Sequence, residues 1–449
     1  MKRTSISTWP LFCVLLLAWL TGCAPGQPGM VRDLEVYSQD ARYYLDEPRK
    51  LLLTPKRQAE LFENFQDRFF VPWHRDKPEF SAQEVFWGID RYKSRDIYGE
   101  NNLPLAPDWV REMELKSDTS SYPSVHIPGI SVVHASMRVL PTNRPVFYNP
   151  SRPGEGFPFD YMQNTLLPAG TPVLISHVSS DGQWALAETD FAAGWVRWSE
   201  LAVAGDDFRE KYQDKSLAAF LADNVPMFGP GGMYLVSGRV GMVLPLAGDQ
   251  ADEEHLRLLV PVRDCQGFAG TIQTLVSIKD ARVMPFEPEA GNFASVLNSM
   301  MGQAYGWGGL FENRDCSALI KDVLAGFGVF LPRNSRDQAK SGHFISLEGL
   351  SASEKQDMIA RHGQPWLTIL YMPGHVMLYI GQDPDSGRVL VYHSMWGLRT
   401  WRPFRDDGRW VIGRTVITSL EPGREMQSLA RPHGLLVERL TGMVFPARP

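Results

Sequence analysis

The chain has 449 residues, enough for two to four domains, because a single hydrophobic core seldom grows beyond about 250 residues. Hydrophobic residues make up 44% and charged residues 21%, as in ordinary globular proteins. The formal net charge of -6 gives no electrostatic reason to expect a nucleic acid or an anionic membrane surface as a partner.

The first residues have the composition of an export signal. Two basic residues precede an apolar run over residues 11–20, which is too short to span a bilayer, and Leu-Thr-Gly then leads to Cys23. This ending resembles the bacterial lipobox, in which cleavage precedes a Cys that carries lipid. We therefore expect residues 1–23 to be a lipoprotein signal and Cys23 to be the lipidated residue. Since Ala24 rather than Asp follows, we expect a periplasmic protein anchored to the outer membrane; an ordinary signal with an incidental Cys is the alternative.

The segment 24–124 is predicted to be a tether followed by a small helical domain. It begins with polar residues, Pro and Gly, and continues with helical patterns, of which the clearest lies around residues 56–69. It contains no catalytic pattern. We expect it to pack on its neighbours as a clamp.

Short strands and Gly-rich turns begin at about residue 125 and predict two small β-barrels in tandem. The first barrel is expected at 125–210, with strands at 144–148, 170–178, 184–188 and 194–196. The second, at 211–287, repeats the pattern more faintly, with strands at 225–228, 238–246, 256–262 and 267–272. The pattern resembles the bacterial SH3-like domains that accompany cell-wall hydrolases.

Residues 288–449 are predicted to form an α+β domain that carries the chemistry, with a tail after residue 420 to which we assign no role. Asp315 precedes Cys316, and apolar residues follow at helical spacing, at positions 319, 320, 323, 324 and 327. Asp is a good N-cap residue, so Cys316 is expected in the first turn of a helix. There, free amides and the helix dipole favour a thiolate and lower the thiol pKa. A structural Cys at a helix start is the alternative.

The other cysteines leave the state of Cys316 open. Cys13 would leave with the signal and Cys23 would carry lipid, so Cys265 and Cys316 remain. In an exported protein these two either form a disulfide, or one is an inert thiol and the other is reactive.

A pair of histidines is the expected base. His375 opens a predicted strand, and a turn around Pro384 leads to a second strand that ends at His393. If the hairpin is centred on that turn, paired residue numbers sum to about 768, which places His375 opposite His393. His375 can then accept the thiol proton while His393 orients its ring. A chance cross-strand pair is the alternative. We also expect the long linker 341–366 to form a flap over the cleft.

These motifs together resemble the NlpC-type cysteine peptidases, which are papain-like endopeptidases that cleave the γ-D-glutamyl–diaminopimelate bond of peptidoglycan stem peptides. The resemblance is carried by Asp-Cys-Ser at a helix start, Gly-His-Val opening a hairpin and a second His ending it. It implies an α+β fold, with a papain-like catalytic domain preceded by two all-β SH3-like barrels and a short helical N-terminal segment. It further implies that Cys316 is the nucleophile, His375 the base and His393 the orienting third member.

The resemblance also implies a set of substrate contacts. They are Tyr305, Asp315, Ser317 and Ser335 in the catalytic domain, and Asp160 and Tyr161 in a loop of the first barrel. Asp315 would pair with the free amine of an N-terminal L-Ala, and Tyr305 would line the cleft and support the oxyanion. Structural roles are the alternative for Tyr305, Ser335 and the two barrel residues, and Asp315 can cap its helix as well.

The leading hypothesis is therefore an endopeptidase that acts through a thiolate and a thioester on peptides of the L-Ala-γ-D-Glu-diaminopimelate type. The alternatives are a wall-binding lipoprotein with an inactive peptidase domain, and an amidase or acyltransferase on the same papain-like core. Neither metal-ligand spacing nor a phosphate-binding glycine loop occurs, so we expect no metal and no cofactor. The expected partners are stem peptides and, through the lipid anchor, a membrane, but not nucleic acid, and we expect a monomer.

Overall fold

The computed structural model describes residues 30–248, 252–401, 408–430 and 434–448. The predicted signal and its lipidated Cys23 lie outside these residues. In the part of the chain so described, no helix is both long and apolar enough to cross a membrane.

The N-terminal region is helical, as predicted, and packs on the rest of the chain. Its helices are α1 (Asp33–Val36), α2 (Pro55–Phe70), α3 (Ala82–Val85), α4 (Trp87–Lys93) and α5 (Trp109–Ser117). Helix α2 starts where the Thr54 side chain accepts a hydrogen bond from the backbone N–H of Arg57. Gln58 on α2 donates to the carbonyl of Phe286 over 2.7 Å and to that of Phe327, in the domain 288–449, over 3.3 Å. Trp73 donates to the carbonyl of Gly129 over 2.7 Å. These buried hydrogen bonds tie the region to both the catalytic domain and the first barrel.

The first β-domain is one antiparallel sheet of seven strands, in the order β3-β2-β6-β5-β4-β1-β7. The strands are β1 (Ile127–Ser131), β2 (Ala135–Arg138), β3 (Gln163–Leu167), β4 (Pro172–Val178), β5 (Trp184–Glu188), β6 (Ala193–Arg197) and β7 (Leu201–Val203). The strand predicted at 144–148 is wrong, because this stretch belongs to the long loop between β2 and β3. Pro145 has no N–H for a ladder, and the N–H of Val146 donates to the Asp160 side chain instead.

The second β-domain consists of three small antiparallel sheets, β10-β9, β11-β8-β14 and β12-β13, entered through helix α6 (Asp206–Gln213). The strands are β8 (Leu217–Phe220), β9 (Val225–Phe228), β10 (Tyr234–Gly238), β11 (Val243–Pro245), β12 (His255–Arg263), β13 (Ala269–Ser277) and β14 (Ala281–Val283). The strand predicted over 238–246 is interrupted, because Gly241 has a φ of 86° and turns the chain between β10 and β11.

The catalytic domain is a six-stranded antiparallel sheet, in the order β15-β20-β16-β17-β18-β19, with helices packed on it. Its helices are α7 (Ala290–Ser299), α8 (Cys316–Ala325), α9 (Ser335–Gln338), α10 (Ala352–His362) and α11 (Leu436–Arg439). Its strands are β15 (His343–Ser346), β16 (Ile369–Met372), β17 (His375–Gln382), β18 (Val389–Thr400), β19 (Gly408–Ser419) and β20 (Gly442–Phe445). The α+β fold class with SH3-like domains ahead of it is thereby confirmed.

The sequence left the role of the C-terminal tail open, and it led to one wrong expectation, which concerns the linker 341–366. The C-terminal tail has a structural role, because β20 lies between β15 and β16, where Met443 pairs with both Ile345 and Leu370. The linker 341–366 is not a flap over the cleft. It supplies the edge strand β15 and helix α10, whose Ile359 is fully buried in the core on the tail side of the sheet.

Because β20 is an interior strand, we expect Met443→Ala to lower the free energy of unfolding of the catalytic domain by about 2–5 kcal/mol, through the lost burial and the cavity left behind. Met443 is fully buried, whereas Met233 is 51% exposed and provides the matched control Met233→Ala. Urea denaturation of the three proteins measures the difference. Equal stability of the two variants would contradict an interior position for β20.

Candidate active site

Cys316 is the first residue of α8, and the Asp315 side chain caps the helix by accepting from the N–H of Ala318 over 2.9 Å. The predicted helix start is confirmed. Cys316 and Cys265 are both free, which removes the disulfide alternative. The backbone amides of Val376, at the start of β17, and of Ser317 lie close enough to the thiol to act to lower its pKa. The nucleophile candidate therefore lies against the strand that His375 opens.

The predicted lowering of the thiol pKa is wrong. Burial of Cys316, with a further contribution from the Asp315 carboxylate, raises the thiol pKa to about 12. The backbone amides at the helix start and Arg333 act in the opposite direction but do not outweigh these two effects. In this structure, then, the candidate nucleophile is a neutral thiol at pH 7.

His375 and His393 are in direct contact, as the sequence predicted. Nε2 of His375 lies 2.8 Å from Nδ1 of His393. The predicted register is wrong by two residues, because the turn is centred between residues 385 and 386 rather than on Pro384, so that Gln382 pairs with Val389 and Leu378 with Tyr392. His375 is therefore diagonal to His393 rather than directly opposite, and both side chains remain on one face of the sheet.

A third group, Thr418 on β19, sets the order of protons in the histidine pair. Its hydroxyl donates to the carbonyl of Ser419 over 2.8 Å and lies 3.1 Å from Nε2 of His393. A hydroxyl has one proton to donate, so Thr418 accepts from Nε2 of His393, whose Nδ1 is then bare. That bare nitrogen accepts the Nε2 proton of His375. Nδ1 of His375 is thus left without a proton.

Burial keeps both rings neutral. It lowers the pKa of His375 to about 4, with the nearby Arg439 adding to the effect, and it lowers the pKa of His393 well below its ordinary value. At pH 7 the pair therefore presents a neutral imidazole with an available lone pair, which is the form that a general base requires.

Asp315 is the centre of a buried ion pair. Nη2 of Arg333 lies 2.6 Å from its Oδ2, and Nη1 lies 3.1 Å from its Oδ1. The carboxylate also accepts from the N–H of Gly308 over 3.0 Å and from the hydroxyl of Ser317 over 3.2 Å. Burial alone would raise the pKa of Asp315, but Arg333 and the amides hold it below its usual range. A substrate amine would have to share a carboxylate that these donors already occupy.

Arg333 was not singled out from the sequence, although it connects the site to the first barrel. Its Nε donates to the hydroxyl of Thr165, on β3, over 2.6 Å. The backbone of Gly308 also lies against β3. A Cβ at Gly308 would lie 2.4 Å from the carbonyl oxygen of Gln163, so this position requires glycine. The barrel is therefore part of the frame of the site.

Most of the predicted substrate contacts line one cleft together with Cys316. These are Tyr161, Tyr305, Asp315, Ser317 and Ser335. The ring of Tyr161 packs 5.7 Å from that of Trp307, and its hydroxyl donates to Glu155 over 2.7 Å. Burial raises the pKa of Tyr305 well above its ordinary value, so its hydroxyl keeps its proton and can donate.

Asp160 does not line the cleft, so the substrate contact predicted for it is wrong. It is buried, and its Oδ2 lies 2.7 Å from Nη1 of Arg138. Its other oxygen accepts from the backbone N–H groups of Val146 and Met162. The carboxylate closes the long loop of the first barrel, and a sequence pattern alone does not separate that role from substrate contact.

The cleft encloses about 670 Å³ and has walls from three regions of the chain. The catalytic domain contributes Cys316 and its neighbours, and the first barrel contributes Tyr161, Gln163 and Asn164. The helical region supplies a further wall, which consists of Phe80, Glu84, Trp87, Arg91 and Tyr92. This wall could not be predicted from the sequence, because it depends on how separate domains meet.

Four segments of the chain match family models. Residues 10–122 match the N-terminal NLPC_P60 stabilising domain, 145–197 an SH3 domain of SH3b1 type, 206–251 an SH3 domain of SH3b2 type, and 302–386 the NlpC/P60 family. Among curated proteins no sequence matches.

Solved structures with the same architecture include a novel NlpC/P60 endopeptidase from Photobacterium damselae subsp. piscicida, with 24% identity and a TM-score of 0.81, over 92% of this chain and 98% of that one. An NlpC/P60 family protein from Bacillus cereus ATCC 10987 is 16% identical over 71% of this chain and 98% of its own, with a TM-score of 0.45. The first of these similarities extends the shared fold to nearly the whole chain.

We expect the buried thiol to react slowly at neutral pH. In protein without residues 1–23 and with Cys265→Ser, Cys316 is the one remaining thiol, and its rate of alkylation by iodoacetamide reports its ionisation. Because its pKa is raised from 9.0 to about 12, the rate should still be rising above pH 9. A rate that levels off below pH 7 would show a preformed thiolate and contradict the neutral pair.

Proposed function

We propose that residues 302–386, which match the NlpC/P60 family model, form a cysteine peptidase domain that acts on peptidoglycan and hydrolyses the γ-D-glutamyl–diaminopimelate bond of stem peptides. One observation carries the proposal. A thiol at the head of α8 lies against the start of β17, and the His375 that opens this strand is held through Nε2 by His393. This is the arrangement of nucleophile, base and orienting group in a three-residue cysteine-peptidase site.

In the proposed mechanism, Nδ1 of His375 removes the proton of the Cys316 thiol as the sulfur attacks the γ-carbonyl carbon of D-Glu. Because thiol and imidazole are both neutral at rest, proton transfer accompanies the attack rather than preceding it. The oxyanion receives hydrogen bonds from backbone N–H groups at the start of α8 and from the Tyr305 hydroxyl.

Collapse of this intermediate breaks the C–N bond. The amine of the diamino acid leaves with the proton held by His375, and the D-Glu carbonyl remains on sulfur as a thioester. Water, deprotonated by His375, then attacks the thioester and releases the carboxylic acid and the thiol. His393 keeps the His375 ring in place through both steps.

The proposal includes a preference for stem peptides with a free N-terminal L-Ala. Asp315 can receive this amine if it shares its carboxylate between the amine and Arg333, and Ser317 and Ser335 lie close by in the cleft. Glu84 on the facing wall is a second candidate, since hydrogen bonds from Ser81 lower the pKa of its exposed carboxylate and keep it ionised. We further propose a monomeric, periplasmic lipoprotein anchored to the outer membrane at Cys23, on the strength of the N-terminal sequence.

Incubation with L-Ala-γ-D-Glu-diaminopimelate tests the proposal, with mass spectrometry to identify the products. We expect L-Ala-D-Glu and free diaminopimelate from the wild type and no turnover by Cys316→Ala. Cys265→Ala is the matched control, because Cys265 is an exposed free thiol that does not line the cleft. Cleavage that survives Cys316→Ala, or none by the wild type, would refute the proposal. Equal turnover of the N-acetylated peptide would remove the preference for a free amine.

The proton order assigned to the histidine pair predicts an effect of Thr418, which touches neither substrate nor nucleophile. Thr418→Val leaves the buried Nε2 proton of His393 without an acceptor, and we expect kcat/KM to fall about 10- to 100-fold, equivalent to about 1–3 kcal/mol. Thr418→Ser keeps the hydroxyl and should retain most of the activity. If both variants lose activity equally, with unchanged pH profiles, Thr418 acts only through packing.

A further inference from the structure

The wall that the N-terminal helical region contributes to the cleft combines an acidic, an aromatic and a basic side chain. Glu84 on α3 and Trp87 and Arg91 on α4 follow each other at intervals of three and four residues, and all three face the cavity that contains Cys316. The interval of four residues places Trp87 and Arg91 on one face of α4, and Glu84 stands on the short helix α3 that precedes it. Trp87 is 37% exposed, so part of its ring surface is open to the cavity. The wall therefore presents a carboxylate, an aromatic face and a cation to the cavity.

Arg91 is a cation without a carboxylate partner among the described residues. Its Nε donates to the Tyr148 hydroxyl over 3.2 Å, and its guanidinium lies 5.6 Å from the centre of the Trp87 ring. Within the same described ranges, its two terminal nitrogens have no acceptor. Arg333, the other arginine of the cleft, is by contrast paired with Asp315. Arg91 is thus a positively charged side chain of the cleft with which no carboxylate of the described residues pairs.

The position of Arg91 is defined by aromatic contacts that lead to the nucleophile. Tyr148, which accepts its hydrogen bond, packs 4.3 Å from the ring of Tyr161, and Tyr161 packs 5.7 Å from Trp307. Trp307 belongs to the turn that precedes Cys316. A guanidinium held at Nε and over Trp87, with both terminal nitrogens open, is preorganised for a planar anion.

From these contacts we infer that Arg91 binds a carboxylate of the peptide substrate, which makes the N-terminal helical region a specificity-determining wall of the active site. The inference rests on the proposed function and deepens it. The terminal nitrogens of Arg91 match the two oxygens of a carboxylate, and Trp87 offers its face to the adjoining carbon chain. Glu84, on the preceding helix α3, repels a second carboxylate at its end of the wall. The carboxylates available in the proposed substrate are those of D-Glu, of the diamino acid and of the C-terminus.

Synthetic stem peptides in which each carboxylate is amidated in turn identify the group that Arg91 binds. For one of these carboxylates, we expect Arg91→Gln to lower kcat/KM about 10- to 100-fold, mainly through KM, on the peptide in which that carboxylate is free. On the peptide in which the same carboxylate is amidated, we expect Arg91→Gln to have no effect. Arg91→Lys should restore part of the preference, because a lysine keeps the charge but not the paired donors. Lys93→Gln is the matched control, since Lys93 lies on the same helix, pairs with Glu114 over 2.8 Å and is absent from the cleft.

Two outcomes would overturn the inference while the proposed function stands: an equal loss on every peptide, or no loss on any, with cleavage still dependent on Cys316. In the remaining case no peptide is cleaved, and calorimetry on the Cys316→Ala protein then measures peptide binding directly. If the wild type cleaves none of the peptides, the proposed function fails. The inference then fails with it if the acid and amidated peptides also bind equally well.

Discussion

The buried ion pair between Asp315 and Arg333 is the contact on which the geometry of the site depends. One carboxylate caps the helix that begins with Cys316, accepts from the turn at Gly308 and pairs with an arginine that reaches Thr165 of the first barrel. Removing one member of such a pair leaves an uncompensated buried charge, which typically costs about 3–5 kcal/mol. The nucleophile, the aromatic turn and the barrel are therefore held as one unit.

The neighbouring residue makes the corresponding connection to the second barrel. Arg314 is fully buried, and it pairs with Asp223 of that barrel over 2.5 Å and with Asp322 of α8 over 2.7 Å. Its carbonyl accepts from the hydroxyl of Ser394, the residue after His393, over 2.8 Å. The two residues that precede Cys316 are thus each anchored to a different barrel. Both β-domains are part of the framework that places thiol and imidazole, whatever else they bind.

Local signals in the sequence predicted the local features of the site. An Asp ahead of an apolar helical pattern correctly indicated the capped start of α8, and two short strands around a turn brought His375 to His393. The features that the sequence did not predict depend on distant contacts. The hairpin turn is centred later than Pro384, which changes the register, a strand after residue 440 completes the sheet, and Asp160 is buried. Thr418 and Arg333 have no distinguishing motif, because their partners come from other strands and another domain. The prediction of a lowered thiol pKa was wrong for a similar reason, because the burial that raises this pKa arises only when the domains are assembled.

We conclude that the base is ready before substrate binds, because a chain of hydrogen bonds from Ser419 through Thr418 and His393 leaves Nδ1 of His375 without a proton. The most direct measurement is ¹⁵N NMR of the histidine-labelled protein at pH 7, with the two rings assigned from single His375 and His393 variants. The account predicts that each ring is neutral and carries its proton on Nε2. A proton on Nδ1 of His375, in either a neutral or a charged ring, would contradict it.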